Sequence, residues 1–461
     1  MSPLGAIILV VLILVVFSQS RRWALLGMLA GVLYLTQGQG LQLAGFNVFA
    51  LRILEMVGFA RVMMRHEFSF SNLTKVDRAF LMLYGFSTVV FLLRSSEGFA
   101  FQIGVAVDAF LCYFTFRGLV SDMDDCRWFL NAFAILMIPF VVVVAIERVT
   151  QHNLFSVMGG VPAYTWIRDD KVRCFGSFRH PSLLGTLGAV FLPLYIALAL
   201  SPASRKRALL GIGQCAVIVW ASNSGGPVSA ASIAVAGWLF WRLRDRMKIV
   251  RRWMLAVIIV LAMFMKAPIW YLPAKLTALT GGDGWHRSYL MDVSMQHIGL
   301  WWLCGIPIQE TADWFPYMLG TTGGSDITNE YIAQGITAGI VAIVLLIFLL
   351  IQAYRHLGKA MAKIRSQASA NNGTSETEHI LWGLGVVLTV HIVNWFGITY
   401  FDQSYAIWFL QLAMMVTLSE KILVEAPPAA ENATAEANPD DLENTSDEPE
   451  YFHKGDVLQH N

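Results

Sequence analysis

Apolar runs interrupted by short polar breaks fill this chain from residue 3 to residue 422. A membrane span needs roughly 20 apolar residues, fewer where the helix is short or the bilayer is thin. Thirteen helices are predicted on that basis: 3–18, 23–38, 47–64, 79–94, 101–120, 128–149, 182–200, 208–222, 225–242, 252–270, 328–353, 379–400 and 404–422. The first two are short, and only Asn223-Ser-Gly-Gly-Pro227 separates the eighth from the ninth. The pattern therefore predicts an all-α polytopic membrane protein with twelve to thirteen transmembrane helices in residues 1–423.

Charge tests this count. Basic residues gather in alternate connections: Arg21 and Arg22; Arg61, Arg65, Lys75 and Arg78; Arg117 and Arg127; 205–207; 242–252; and 355–365. The positive-inside rule puts all of these on the cytoplasmic side, with the N-terminus outside and the C-terminus inside. Two outer connections, 150–181 and 271–327, are long and rich in aromatic and mixed-charge residues. Within the second, 287–303 reads as a helix ending at Trp301 and Trp302, with Leu290, Met291 and Val293 toward one side. Tryptophan prefers the membrane boundary, so this segment either lies flat on the outer surface or forms an ordinary folded loop.

Composition agrees with a membrane class. The chain is 56% hydrophobic and 14% charged, with a mean hydropathy of +0.56, whereas soluble domains carry about 25% charged residues. Residues 4–17 lack a basic n-region and a good cleavage site, so they read as a retained first span and not a signal peptide. Residues 424–461 are rich in Ala, Pro, Asn and Glu, cannot bury a core, and are expected to be a disordered acidic cytoplasmic tail. The five cysteines show no metal-binding spacing. Only Cys174 and Cys304 fall in loops on one side, where a disulfide could form. The bilayer is the expected partner; no nucleic-acid partner, metal or cofactor is expected.

Several polar residues need an explanation. A central arginine costs at least about 2.5–3.5 kcal/mol to insert. Arg52 in the third span therefore needs Glu55 or Asp108 as a partner, or else reaches a phosphate at the outer mouth. His391 and Asn394 read as interhelical hydrogen-bonding residues. The block Arg173-Cys-Phe-Gly-Ser-Phe-Arg-His-Pro181 sets cations, Arg173 and Arg179, at the start of a span. Helix N-termini favour anions, and arginine grips phosphate with a forked geometry. Before the eleventh span, Asp326 reads as a helix cap with Asn329 behind it, or as an acidic group at the outer mouth with Glu330. Gly335 and Gly339 would let that helix pack closely.

These blocks resemble the superfamily of O-antigen ligases and O-antigen or exopolysaccharide polymerases, which are bacterial inner-membrane glycosyltransferases with a GT-C-like bundle. The resemblance covers roughly 20–420. It is carried by the Arg173–Pro181 block and its Gly-rich span, the Ser222-Asn-Ser-Gly-Gly turn, the loop from Trp285-His-Arg287 to Gly305, and 328–340. It implies transfer of a glycan from a polyprenyl-pyrophosphate-linked oligosaccharide to a glycan acceptor at the periplasmic face, in a system with polysaccharide-export proteins. It also implies that Arg173 holds the pyrophosphate. Two positions depart from the family pattern. Gly225 follows Ser224 where many members have arginine, and Thr328 stands where ligases have histidine. Both favour a polymerase over a lipid A-core ligase.

The chemistry can be stated from the residues. Charge grows on the leaving pyrophosphate, so preorganised cations lower the barrier; Arg173 comes first, then Arg179, Arg287 and Arg52. The attacking hydroxyl needs a proton acceptor; Asp326 or Glu330 is the first choice, then His180 or His286. Asn329, Thr328 and Ser224 are expected to support the site. A transporter or flippase for the same lipid, or a non-catalytic member of an export assembly, are the competing readings. Polar groups crowded at one face, and not at the midplane, favour the enzyme.

Overall fold

The computed structural model describes residues 1–424 except 44–45, 95–97, 169, 273–283, 316–318, 321–322 and 371–375. The predicted disordered tail lies outside the described residues. Among the described residues helices dominate, and strands are confined to two short hairpins. One is β1 (Gly40–Leu43) with β2 (Phe46–Phe49), the other β3 (Trp166–Arg168) with β4 (Lys171–Arg173); both are antiparallel.

Among the described residues, six helices are long and apolar enough to cross a bilayer: α4 (Lys75–Arg94), α5 (Phe99–Leu119), α6 (Met123–Thr150), α7 (Pro181–Ala199), α14 (Ile340–Ala370) and α16 (Gln403–Val424). The protein is therefore a multi-pass, all-α membrane protein. Helices α1 (Pro3–Ser18), α2 (Arg21–Tyr34), α3 (Ala50–Met64) and α9 (Gly225–Leu239) have 14 to 16 residues. At 1.5 Å per residue that is about 21–24 Å, short of a hydrocarbon core about 30 Å thick. Helices α8 (Arg205–Ser222), α10 (Met247–Phe264) and α15 (Glu376–Asn394) are longer but open on charged residues. The most apolar windows of α7 and α16 are 83% and 72% buried, against 44% or less for the other four, so these two form the centre of the bundle.

Close approach at the centre depends on glycine. A Cβ at Gly185 of α7 would lie 2.4 Å from Ser222 Oγ and 2.6 Å from the Pro227 ring, and one at Gly188 would lie 2.7 Å from the Cys215 carbonyl oxygen. Without side chains at these positions, α7 lies against α8 and α9, and the N-termini of α7 and α9 meet.

The basic connections converge. Arg21 pairs with Glu67 (3.5 Å), Arg22 with Asp125, Arg127 with Glu376 (3.4 Å), and Arg244 and Arg365 both with Glu378 (3.7 and 2.6 Å). These contacts chain five of the six basic connections together.

The predicted eleventh helix is corrected by the structure. It breaks into α13 (Glu330–Ala338) and α14 at Gly339, whose φ is +80°. A Cβ there would meet the Leu303 carbonyl oxygen at 2.3 Å, and the Ile340 amide donates to the Trp302 carbonyl at 2.8 Å. The second outer connection thus wedges into the break. It carries α11 (Gly284–Gln296) and α12 (Ile298–Trp301) and folds around a core of its own. Its own core comprises Leu290, Val293, Trp301, Ile306 and Trp314 packed on Ile327, Ile332 and Ile336. The Trp301 ring occupies the space over Gly335, where a Cβ would come within 2.6 Å. Cys174 is buried, Cys304 is exposed, and both are free thiols, so the disulfide is absent.

Candidate functional site

The loop 173–181 is held by partners from four elements. Glu147, in the last turns of α6, accepts from the amides of Phe175 (2.7 Å) and Gly176 (2.9 Å). The side-chain amide of Asn153 donates to the Gly176 carbonyl (2.9 Å), and that of Gln403 to the Ser177 carbonyl (3.0 Å). The Cys174 amide donates to the Ala221 carbonyl (3.0 Å). Gly176 turns the chain at φ +57°, a conformation that favours glycine. With the backbone fixed, the direction of each side chain is set.

Arg173 is 92% buried, and its Nη2 lies 3.5 Å from Ser224 Oγ. Ser224 Oγ is in turn 2.6 Å from Ser182 Oγ, in the first turn of α7. His180 is the N-cap of α7, its Nδ1 accepting the Ser182 amide at 3.1 Å. Burial drives its pKa down to about 4, with the charges of Arg173 and Arg287 pushing the same way. The ring is therefore neutral at pH 7, and because Nδ1 accepts, Nε2 carries the proton. The lowered pKa does not favour the role of proton acceptor expected of His180. Its free nitrogen is a donor, and the ring belongs with the cations.

Arg287 arrives from the other long connection, on α11. Its guanidinium rests over two glycines. A Cβ at Gly397 would lie 2.8 Å from Nη1 and 3.0 Å from Cζ, and one at Gly226 would lie 3.4 Å from Nη2. Gly226 is in the first turn of α9, whose N-cap Ser224 makes no side-chain cap bond to it. Gly225 faces open space. Two helix N-termini, two guanidinium groups and the neutral His180 ring thus meet at one place. Aligned peptide dipoles make each N-terminus equivalent to about half a positive charge, so the whole assembly suits a polyvalent anion.

Two predicted phosphate ligands are placed elsewhere. Arg179 makes a two-point ion pair with Asp402, with Nη2 to Oδ1 at 2.7 Å, and its guanidinium lies 5.5 Å from the Phe401 ring. It clamps the loop to the α15–α16 connection. Arg52 likewise makes a two-point pair with Asp108, with Nη2 to Oδ2 at 2.7 Å. Both carboxylates offset the charge a phosphate would need. His391 and Asn394 bond as expected: His391 with Tyr400 and Gln411 (both 2.7 Å), and Asn394 with Thr186 (3.0 Å).

The predicted acids and their neighbours separate into two kinds. The helix cap before α13 is Asn329, not Asp326; its Oδ1 accepts the Ile332 amide at 3.1 Å. Glu330 is 98% buried and accepts from the Tyr405 hydroxyl (2.9 Å), the Gln334 amide group (3.0 Å) and the Tyr400 backbone N–H (3.0 Å). With both oxygens engaged, Glu330 locks α13 to α16. Asp326 is different. It remains solvent-exposed and accepts no hydrogen bond from the described residues. Surrounding protein raises its carboxyl above the ordinary range, and His286 partly opposes that shift. His286 is buried, with its ring 4.4 Å from that of Phe315. Thr328 Oγ1 is buried without a hydrogen-bond partner.

His286 and Arg287 are consecutive, so α11 joins the Asp326 group to the cationic group, across Cα atoms about 3.8 Å apart. One signal in the sequence was missed. Glu147, a lone carboxylate closing the apolar run 128–149, is the anchor of the arginine loop. The Gly226–Gly397 cradle and Asp402 carried no such mark. No protein-family model matches the chain, and no curated protein sequence matches it.

Proposed function

We propose that the protein is a metal-independent membrane glycosyltransferase. It polymerises or ligates glycan units from a polyprenyl-pyrophosphate carrier at the periplasmic face of a bacterial inner membrane. In this reading the bundle is GT-C-like, crosses the membrane about thirteen times with its short helices counted, and has its N-terminus outside and C-terminus inside. The observation that carries it is the meeting of Arg173, Arg287 and the α7 and α9 N-termini in one place. The gathering of the basic connections at one end supports the orientation.

The acceptor hydroxyl oxygen bonds to the anomeric carbon while the anomeric C–O bond to the pyrophosphate breaks. The hydroxyl proton passes to Asp326, whose lone pairs are free, and the electron pair leaves on the pyrophosphate. Arg173, Arg287, the α9 amides and the Nε2–H of His180 receive that growing charge. Each well-placed donor of this kind contributes about 10²–10³ in rate. Thr328 and Gly225 fit this scheme, because Asp326 replaces a histidine base and Arg287 fills the place beside the Ser224 turn.

Purified protein supplied with a lipid-linked oligosaccharide is expected to extend it. Arg173→Ala and Arg287→Ala abolish extension while membrane insertion is unchanged, and Lys171→Ala, on an exposed strand residue, retains it. Wild-type protein that carries the lipid across vesicles without extending it would overturn the enzyme reading.

A further inference from the structure

Three consecutive side chains of α11 have different surroundings. Arg287 lies over the glycine cradle and His286 beside Asp326. Trp285 faces outward and is 58% exposed, a high value for a tryptophan in a folded cap. One turn on, Tyr289 lies parallel to it, with ring centroids 5.0 Å apart and planes inclined by 13°. Phe315 braces both rings at 6.4 and 5.5 Å, and it is the same ring that packs on His286. The Trp285 indole N–H and the Tyr289 hydroxyl make no hydrogen bond with the described residues. The result is a flat, braced aromatic face with polar groups at its rim, joined to His286 through the Phe315 ring.

We infer that the Trp285–Tyr289 platform is a subsite for a pyranose ring of the acceptor glycan. This deepens the transferase reading and rests on it. A pyranose presents C–H groups on its faces and hydroxyls around its edge, which matches an apolar ring bordered by an N–H and an O–H. Tryptophan and tyrosine supply such contact area with little side-chain entropy to lose, and here Phe315 has already fixed both rings. The platform and His286 share the Phe315 ring, which ties a sugar on Trp285 to the same part of the cap as His286.

The test is saturation-transfer NMR on the full-length protein in detergent, with methyl β-glucopyranoside, methyl β-galactopyranoside and methyl α-rhamnopyranoside as probes and no donor present. At least one probe is expected to receive saturation, strongest at its ring C–H protons. Trp285→Ala should weaken binding about tenfold, equivalent to about 1.4 kcal/mol, and Trp285→Phe should restore part of it. Trp302→Ala, an equally exposed tryptophan of the same cap, should change nothing. Equal transfer in wild type and Trp285→Ala overturns the inference, as does transfer to none of the three probes. Sugar binding that depends on Trp285 in a protein unable to extend a lipid-linked glycan would leave the subsite standing and remove the transferase.

Discussion

Gly397→Ala moves the Arg287 guanidinium without changing any charge. The new Cβ would lie 2.8 Å from Nη1, 3.0 Å from Cζ and 3.2 Å from Nε. Ordinary contact begins near 3.4–3.5 Å, so the group must shift by about 0.6–0.7 Å. The obstacle is the far end of a flexible side chain, and Gly397 is outside the left-handed region, so alanine fits its backbone. Global stability should therefore change by less than about 0.5 kcal/mol, as for an ordinary substitution away from special features. Catalysis is far less tolerant, because a displacement of about 1 Å can cost about 10²-fold in rate. The expected result is a melting temperature in detergent close to wild type, with extension of a lipid-linked oligosaccharide slowed about 10–100-fold. Arg287→Ala should be at least as slow, and the double variant no slower than Arg287→Ala, because both act through one guanidinium. Full activity in Gly397→Ala, or losses that multiply in the double variant, would refute the placement of Arg287 at the leaving group.

Other outcomes follow from the same geometry. Asp326→Asn should slow turnover about 10²–10⁴-fold; unchanged turnover would remove Asp326 from the chemistry. Because its carboxyl pKa is raised, wild-type rate should fall as pH drops through a value above the ordinary Asp range, and the Asp326→Asn profile should lack that limb. Arg179→Ala breaks an exposed pair and should alter turnover by less than about fivefold; a loss as large as that of Arg173→Ala would return Arg179 to the phosphate site. His180 has its folded pKa lowered to about 4, so the unfolded chain takes up protons first. Its contribution to stability is lost as pH falls from about 6.5 toward 4. His180→Asn, which can still cap α7, should flatten that part of the pH–melting curve. Gly335→Ala should destabilise the outer cap by about 1–3 kcal/mol by overpacking against Trp301, read as faster proteolysis of the 284–315 region.

Glu147 illustrates why part of the site escaped the sequence. Its isolation at the end of an apolar run marks it as unusual, but the amides it serves are 28 and 29 residues away. Arg52 and Arg179 show the converse. Each had the residue type and location for phosphate, and each is spent on a carboxylate brought from another element. Glu330 had the right charge beside the right loop, yet three donors from within the bundle consume its acceptors.

The chain's own pattern determined that this is a helical, multi-pass membrane protein, that its basic connections share an end, and that an arginine loop opens α7. Those features follow from hydrophobic length and charge placement, which are local properties of the chain. Only the tertiary structure decided that Arg52 and Arg179 pair with Asp108 and Asp402, that Asn329 and not Asp326 caps α13, and that Arg287 comes beside the arginine loop more than a hundred residues earlier. Pairing, burial and the space left by Gly226 and Gly397 depend on which distant residues are brought together, and no single stretch of sequence holds that information.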